Sequence, residues 1–145
     1  MTHRHRRLRR GATEIEDAAT LNLGEDFENT QCLFISEVRI LMEVQEESKE
    51  RGTDNRPTTS ITSKTLDYVR MFSRFSNRDS VNEIRSLLSR ESNTVAQFEA
   101  AQLANLVCED AEEAKALVPS LAQKMDDEKL ERLLHEMLTI RKFQG

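Results

Sequence analysis

An all-α fold is what this sequence predicts: a helical bundle of about five helices, preceded by one long helix and an extended N-terminal segment. Three observations carry that reading. Of the 145 residues, 37% are hydrophobic and 32% charged, while aromatic residues make up only 5% and Trp is absent. Four Gly and two Pro are too few for the many turns of a sandwich or barrel, and β-favouring side chains are scarce. From Ser60 onward, apolar residues recur at helical spacing to the end of the chain. The length suits one domain with a tail.

The chain begins with a basic arm, residues 1–13, expected to be disordered. Residues 1–10 hold five Arg and no acid; with a net charge of -5 for the whole, the remaining residues carry -10. Such an arm can touch phosphate backbones, but no aromatic residue is interleaved for base stacking, and an acidic body repels nucleic acid. Residues 14–28 form a mixed acidic segment. A helix is expected at 30–51, and Gly52 to Ser60 is an exposed loop of small and polar residues. The organisation is then 1–13 arm, 14–60 N-terminal segment with its long helix and polar loop, and 61–145 bundle.

Within the bundle, Leu66, Val69, Phe72 and Phe75 mark one helix. Asn77 can cap the next, which carries Val81, Ile84, Leu87 and Leu88. Thr94 can cap a third, where Ala100, Ala101 and Ala104 allow close helix approach. A short helix at 109–118 opens on Glu109-Asp110-Ala111-Glu112-Glu113, acids that suit a helix N-terminus, and Pro119 ends it. The last begins near Asp126-Asp127-Glu128 and runs through Leu130, Leu133, Leu134, Met137 and Leu138 to the cations Arg141 and Lys142. Phe72, Phe75, Phe98, Leu103, Leu117, Leu133 and Met137 are expected to act structurally.

The helix at 30–51 differs from the others. On a wheel of about 100° per residue its apolar residues, Leu33, Phe34, Ile35, Val38, Ile40, Leu41, Met42 and Val44, cover roughly 220°. That is far more than one neighbour requires. Either the helix is central in the bundle, or it lies between its own domain and a partner protein; the polar loop that follows it favours the partner. Upstream, Leu21 and Leu23 alternate about a polar residue as an edge strand would, and Phe27 follows. Extended pairing along a partner is expected there.

Catalytic signals are missing. There is no Gly-rich phosphate loop, no GxSxG and no HExxH. His3 and His5 lie in the arm, and His135 is off the apolar stripe of the last helix, on the surface. Cys32 and Cys108 are too few and too far apart for a disulfide scaffold or zinc site, and are expected to be reduced core residues. Acids after Cys108 disfavour its thiolate. No apolar run approaches the ~20 residues of a membrane span, and the arm has no apolar stretch behind it to form a secretory signal. No enzyme, cofactor or metal is expected, and no membrane contact.

Specific residues go further. Leu66-Asp67-Tyr68-Val69-Arg70-Met71-Phe72-Ser73-Arg74-Phe75, then Ser86-Leu87-Leu88, then Phe98 to Leu106, Ala111 to Leu121 and Thr139 to Gln144 follow in order with family-like spacing. Together with Ala18 to Gly24 and Gln31 to Leu41, they resemble the fourth subunit of eukaryotic RNA polymerase II. The resemblance covers residues 14–145; the arm and the loop at 51–60 match nothing in it. It implies an HRDC-like helical fold, the counterpart of a stalk protein of the archaeal RNA polymerase. It implies a non-catalytic polymerase subunit that pairs with the seventh subunit to form the stalk beside the RNA exit channel. It further implies association with the polymerase core, contact with nascent RNA mainly through the partner, a role in initiation and in mRNA export and decay, and a nuclear location with shuttling to the cytoplasm.

The partner-facing residues are then expected to be Leu21, Leu23, Phe27, Leu33, Phe34, Val38, Leu41 and Met42. Two other readings compete: an HRDC-like nucleic-acid-binding accessory module, supported only by the basic arm, and a generic helical adaptor. A salt titration of DNA binding with and without residues 1–13 separates the first, and a pull-down the second.

Overall fold

The computed structural model describes residues 15–144; the basic arm expected at 1–13 lies outside them. Six α-helices follow one another: α1 Ile35–Glu50, α2 Ser60–Phe72, α3 Arg78–Arg90, α4 Gln97–Leu106, α5 Ala111–Leu117 and α6 Asp127–Phe143. Short 3-10 turns at Ala18–Thr20 and Pro119–Gln123 complete the described structure, in which no strand forms. The all-α class expected from composition is therefore correct. Among the described residues, no helix is long and apolar enough to cross a membrane.

Local chemistry explains most of the boundaries. Asn77 caps α3 by accepting the Ser80 N–H at 2.8 Å, and Asp110 and Asp126 cap α5 and α6 through the N–H groups of Glu113 and Lys129, both at 2.7 Å. Pro119 ends α5 and opens the 3-10 turn that leads into α6. The cap expected from Thr94 is corrected. The α4 N-cap is Ala96, whose N–H donates to the Glu99 carboxylate at 2.7 Å, so a side chain folding back from inside the helix replaces the cap in front of it. That carboxylate is fully buried and also accepts from Lys124 at 2.9 Å.

Helix α1 begins at Ile35, five residues later than expected. Its N-cap, Phe34, has no side-chain acceptor; Asn105 of α4 accepts the Ile35 N–H instead, at 2.8 Å. Helices α1 and α2 run antiparallel, since Ser36 near the start of α1 meets Ser73 at the end of α2, while Lys49 near its end reaches Thr58 before α2. Helix α1 also packs on α3 and α4, and α6 packs on α3 and α5. The main core gathers Phe34, Phe75, Ile84, Leu103, Leu121, Leu130, Leu134 and Met137, with Ile40 against it.

Two expected core residues are corrected. Phe72 and Leu117 are both exposed: α2 packs mainly on α1, and the short α5 buries Ala111 and Ala114 instead. Phe75, Leu103, Leu133 and Met137 are buried as expected, and Phe98 is half-buried.

The N-terminal segment is not extended. Asp17 caps the turn at Ala18–Thr20 and bridges Asn22 in an antiparallel pair, with Asp17 N–H to Asn22 carbonyl at 2.8 Å. Leu21 has φ of 60°, a left-handed conformation that reverses the chain and that no strand residue adopts. Gly24 is buried at φ 86°, a left-handed conformation that favours glycine, with the Glu16 carboxylate 3.1 Å from where a Cβ would stand. The turn packs on the 3-10 helix at Pro119–Gln123.

Candidate functional site

A groove of about 400 Å³ runs between residues 31–41 and α3. Leu33, Ile40 and Leu41 supply its apolar lining from one side; Val81, Asn82, Arg85 and Ser89 line the other, with Gln97 at one end. Leu33 and Leu41 are each 54% exposed, and Val44, one turn beyond Ile40, extends the same face. Large aliphatic side chains held half out of a concave surface are what a partner side chain would cover.

The groove wall is rigid for an electrostatic reason. Arg85 of α3 lies edge-on against Glu37 of α1, with Nε to Oε1 and Nη2 to Oε2 both at 2.6 Å. The same Nη2 donates to the Cys32 carbonyl at 2.9 Å, and the guanidinium stands 4.8 Å from the centre of the Phe34 ring. One side chain thus ties α3, the first turn of α1 and the segment leading into α1. Nothing in the sequence marks Glu37 as more than a helix residue or singles out Arg85. Ion partners 48 residues apart leave no local signal.

A second clamp holds the far side of α1. Ser36 is buried and its Oγ accepts the Phe75 N–H at 3.2 Å and the Ser73 hydroxyl at 2.9 Å. Arg39 reaches the carbonyls of Phe75 and Ser76 at 3.0 and 2.7 Å. With the α2–α3 connection pinned there, Leu41 and Val44 are the large apolar side chains of α1 left exposed, beside Leu33 just before the helix.

The structure divides the expected partner-facing residues. It brings Leu33 and Leu41 together on the groove. It removes Phe34: the ring is fully buried in the chain's own core, because residue 34 precedes the helix and its side chain turns inward under Arg85. Val38 and Met42 are half-buried and stand outside the main core cluster. Leu21 and Leu23 are half-buried in the N-terminal turn, and Phe27 is exposed beyond it. The wide apolar arc read from sequence is largely accounted for by packing on α2, α3 and α4.

Comparison with known proteins decides the family. The family described as RNA polymerase Rpb4 matches residues 32–141, from the groove to the last turn of α6. The chain belongs to this family. It is 44% identical over 130 residues to the DNA-directed RNA polymerase II subunit rpb4 of Schizosaccharomyces pombe, covering 89% of this chain and 94% of that protein. It is 36% identical over 136 residues to the DNA-directed RNA polymerase II subunit 4 of Arabidopsis thaliana, covering 90% and 97%. The Dictyostelium discoideum subunit rpb4 is 37% identical over 150 residues, covering 93% and 95%. The resemblance to a fourth subunit of RNA polymerase II is thereby established, and with it a place in transcription. Both halves of the groove, residues 31–41 and α3, fall almost wholly within the Rpb4 match.

Proposed function

We propose that this chain is a non-catalytic subunit of RNA polymerase II that pairs with the seventh subunit through the α1 groove to form the stalk. The carrying observation is the pair Leu33 and Leu41, held half out of the fold beside the Arg85–Glu37 wall in a protein of the Rpb4 family. A groove of this size holds a few side chains, whereas a stable interface buries about 1,600 Å² in total. It therefore serves as the anchor of a larger contact, to which Val38, Met42 and the N-terminal segment with Leu21, Leu23 and Phe27 add area. In this reading the subunit reaches the polymerase core as part of the pair, meets nascent RNA mainly through its partner, and acts in the nucleus in initiation. Shuttling with the mRNA would link it to export and decay.

Co-expression with the cognate seventh subunit, then size-exclusion with light scattering, tests the pairing. A one-to-one complex is expected, and Leu33→Asp with Leu41→Asp should abolish it while leaving the helical spectrum intact, since an unpaired charge buried in an interface costs several kcal/mol. Co-elution of the double variant would show that the groove is not the anchor.

A further inference from the structure

Helix α2 carries a second apolar face that the groove does not use. Ile61, Tyr68 and Phe72 lie within roughly 40° of one another on the helical wheel, with Met71 beside them. All four are exposed, Met71 at 74%, so a stripe about 16 Å long runs the length of the helix. Its surroundings are basic in an acidic protein. Residues 60–79 hold Lys64, Arg70, Arg74 and Arg78 against two acids, Asp67 and Asp79, and residues 139–144 add Arg141 and Lys142 with no acid. The C-terminus of α6 is fastened there: Gln144 accepts the Ser76 N–H at 2.8 Å and donates to the Arg74 carbonyl at 3.1 Å. Arg74, Arg78, Arg141 and Lys142 therefore lie on neighbouring segments at the end of the stripe, with Arg74 Nε also donating to the Asn105 carbonyl at 3.4 Å. Among the described residues, none of these four nor Lys64 forms a salt bridge.

We propose that this face of α2 docks an acidic, amphipathic helical segment of a partner protein. Its apolar residues would seat on Ile61, Tyr68, Met71 and Phe72, and its carboxylates would meet the unpaired cations at the α2–α6 end. Charge complementarity selects the occupant. A single-stranded RNA would also be drawn to the cations, but Ile61 and Met71 offer no ring to stack on. The two rings pack on each other instead, with centroids 4.7 Å apart and planes tilted 44°, leaving no parallel slot for a base. Methionine beside aromatics is the adaptable surface that accepts helix side chains of varied shape.

Fluorescence anisotropy on the full chain tests this, with a labelled synthetic helix bearing Leu and Phe on one face and Glu and Asp on the other. The expected result is saturable binding that weakens with added salt and is lost for the same helix with Lys in place of the acids. Ile61→Ser with Met71→Ser, and separately Arg141→Glu with Lys142→Glu, should each weaken binding roughly tenfold. All four positions are exposed, so the thermal melt of these variants should match the parent. Three results would overturn the proposal: no saturable binding, equal affinity for the Lys helix, or unchanged affinity in both variants. Displacement of the bound helix by a lower concentration of oligouridine would assign the face to RNA. Self-association by light scattering that Met71→Ser abolishes would assign it to a second copy, and either result would equally overturn it.

Discussion

Arg85 and Glu37 meet in a two-point ion pair, both contacts at 2.6 Å, with the arginine side chain 28% and the carboxylate 13% exposed. It is neither a surface pair nor a dry one. The guanidinium also holds the Cys32 carbonyl and covers the Phe34 ring, so the two partners are unequal. Arg85→Ala removes all three contacts and leaves a mostly shielded carboxylate, which should cost about 2–3 kcal/mol after allowance for the remaining exposure. Glu37→Ala should cost about 1 kcal/mol less, because the guanidinium keeps a carbonyl and a ring. Urea unfolding of both single variants and the double variant checks this, and a double-mutant cycle with coupling near zero would refute it.

Phe34 and Leu41 look alike on the helical wheel and should behave oppositely. Phe34 is fully buried in the main core, so Phe34→Ala should lower stability by about 3–5 kcal/mol and melt the domain well below the parent. Leu41→Asp sits at the groove mouth and should leave the melt of the free chain nearly unchanged while weakening the proposed pairing with the seventh subunit. Thermal melts with co-elution read both. The combination of Phe34→Asp and Leu41→Asp does not test the interface, since the first change unfolds the core.

The same contrast divides Phe72 and Phe75. Phe75 is fully buried and its N–H is held by Ser36, whereas Phe72 is exposed on α2 beside Tyr68. Phe75→Ala should cost about 3–5 kcal/mol and Phe72→Ala less than about 1 kcal/mol. Equal falls in melting temperature would mean that α2 is covered on its outer side in the free chain.

What the sequence made legible was local. Asn77 and Asp126 cap the helices they precede, Pro119 stops α5, and the stripe from Leu130 to Met137 turns inward, because each of these signals acts within a few residues. What it hid was distant. The start of α1 depends on Asn105, seventy positions away, and without that partner the wheel carried Phe34 into a helix that begins one residue later. Leu21 shows the limit of alternation as a signal: a polar residue between two leucines fits a strand or a turn equally, and a left-handed residue chose the turn. In the candidate site, the apolar side chains of Leu33 and Leu41 were readable. The Arg85–Glu37 pair that positions them was not.

Cys108 makes a prediction whose sign follows from its surroundings. The side chain is buried, and burial first, then the nearby Glu113 carboxylate, pushes its thiol above the ordinary cysteine range. At neutral pH both the folded and unfolded chains hold the proton and the thiol contributes no pH dependence. As the pH climbs through the ordinary thiol range, about 8.5, the unfolded chain releases its proton while the folded chain retains it. Folding then binds a proton, so stability must fall with rising pH until the folded thiol itself titrates. Urea midpoints measured from neutral to mildly alkaline pH should decline, and Cys108→Ala should flatten part of that decline. Iodoacetamide gives a second readout at neutral pH: half-exposed Cys32 should be alkylated first and Cys108 should resist until the chain unfolds. Rapid alkylation of Cys108 in the native protein would show that the core around it opens far more readily than its burial implies.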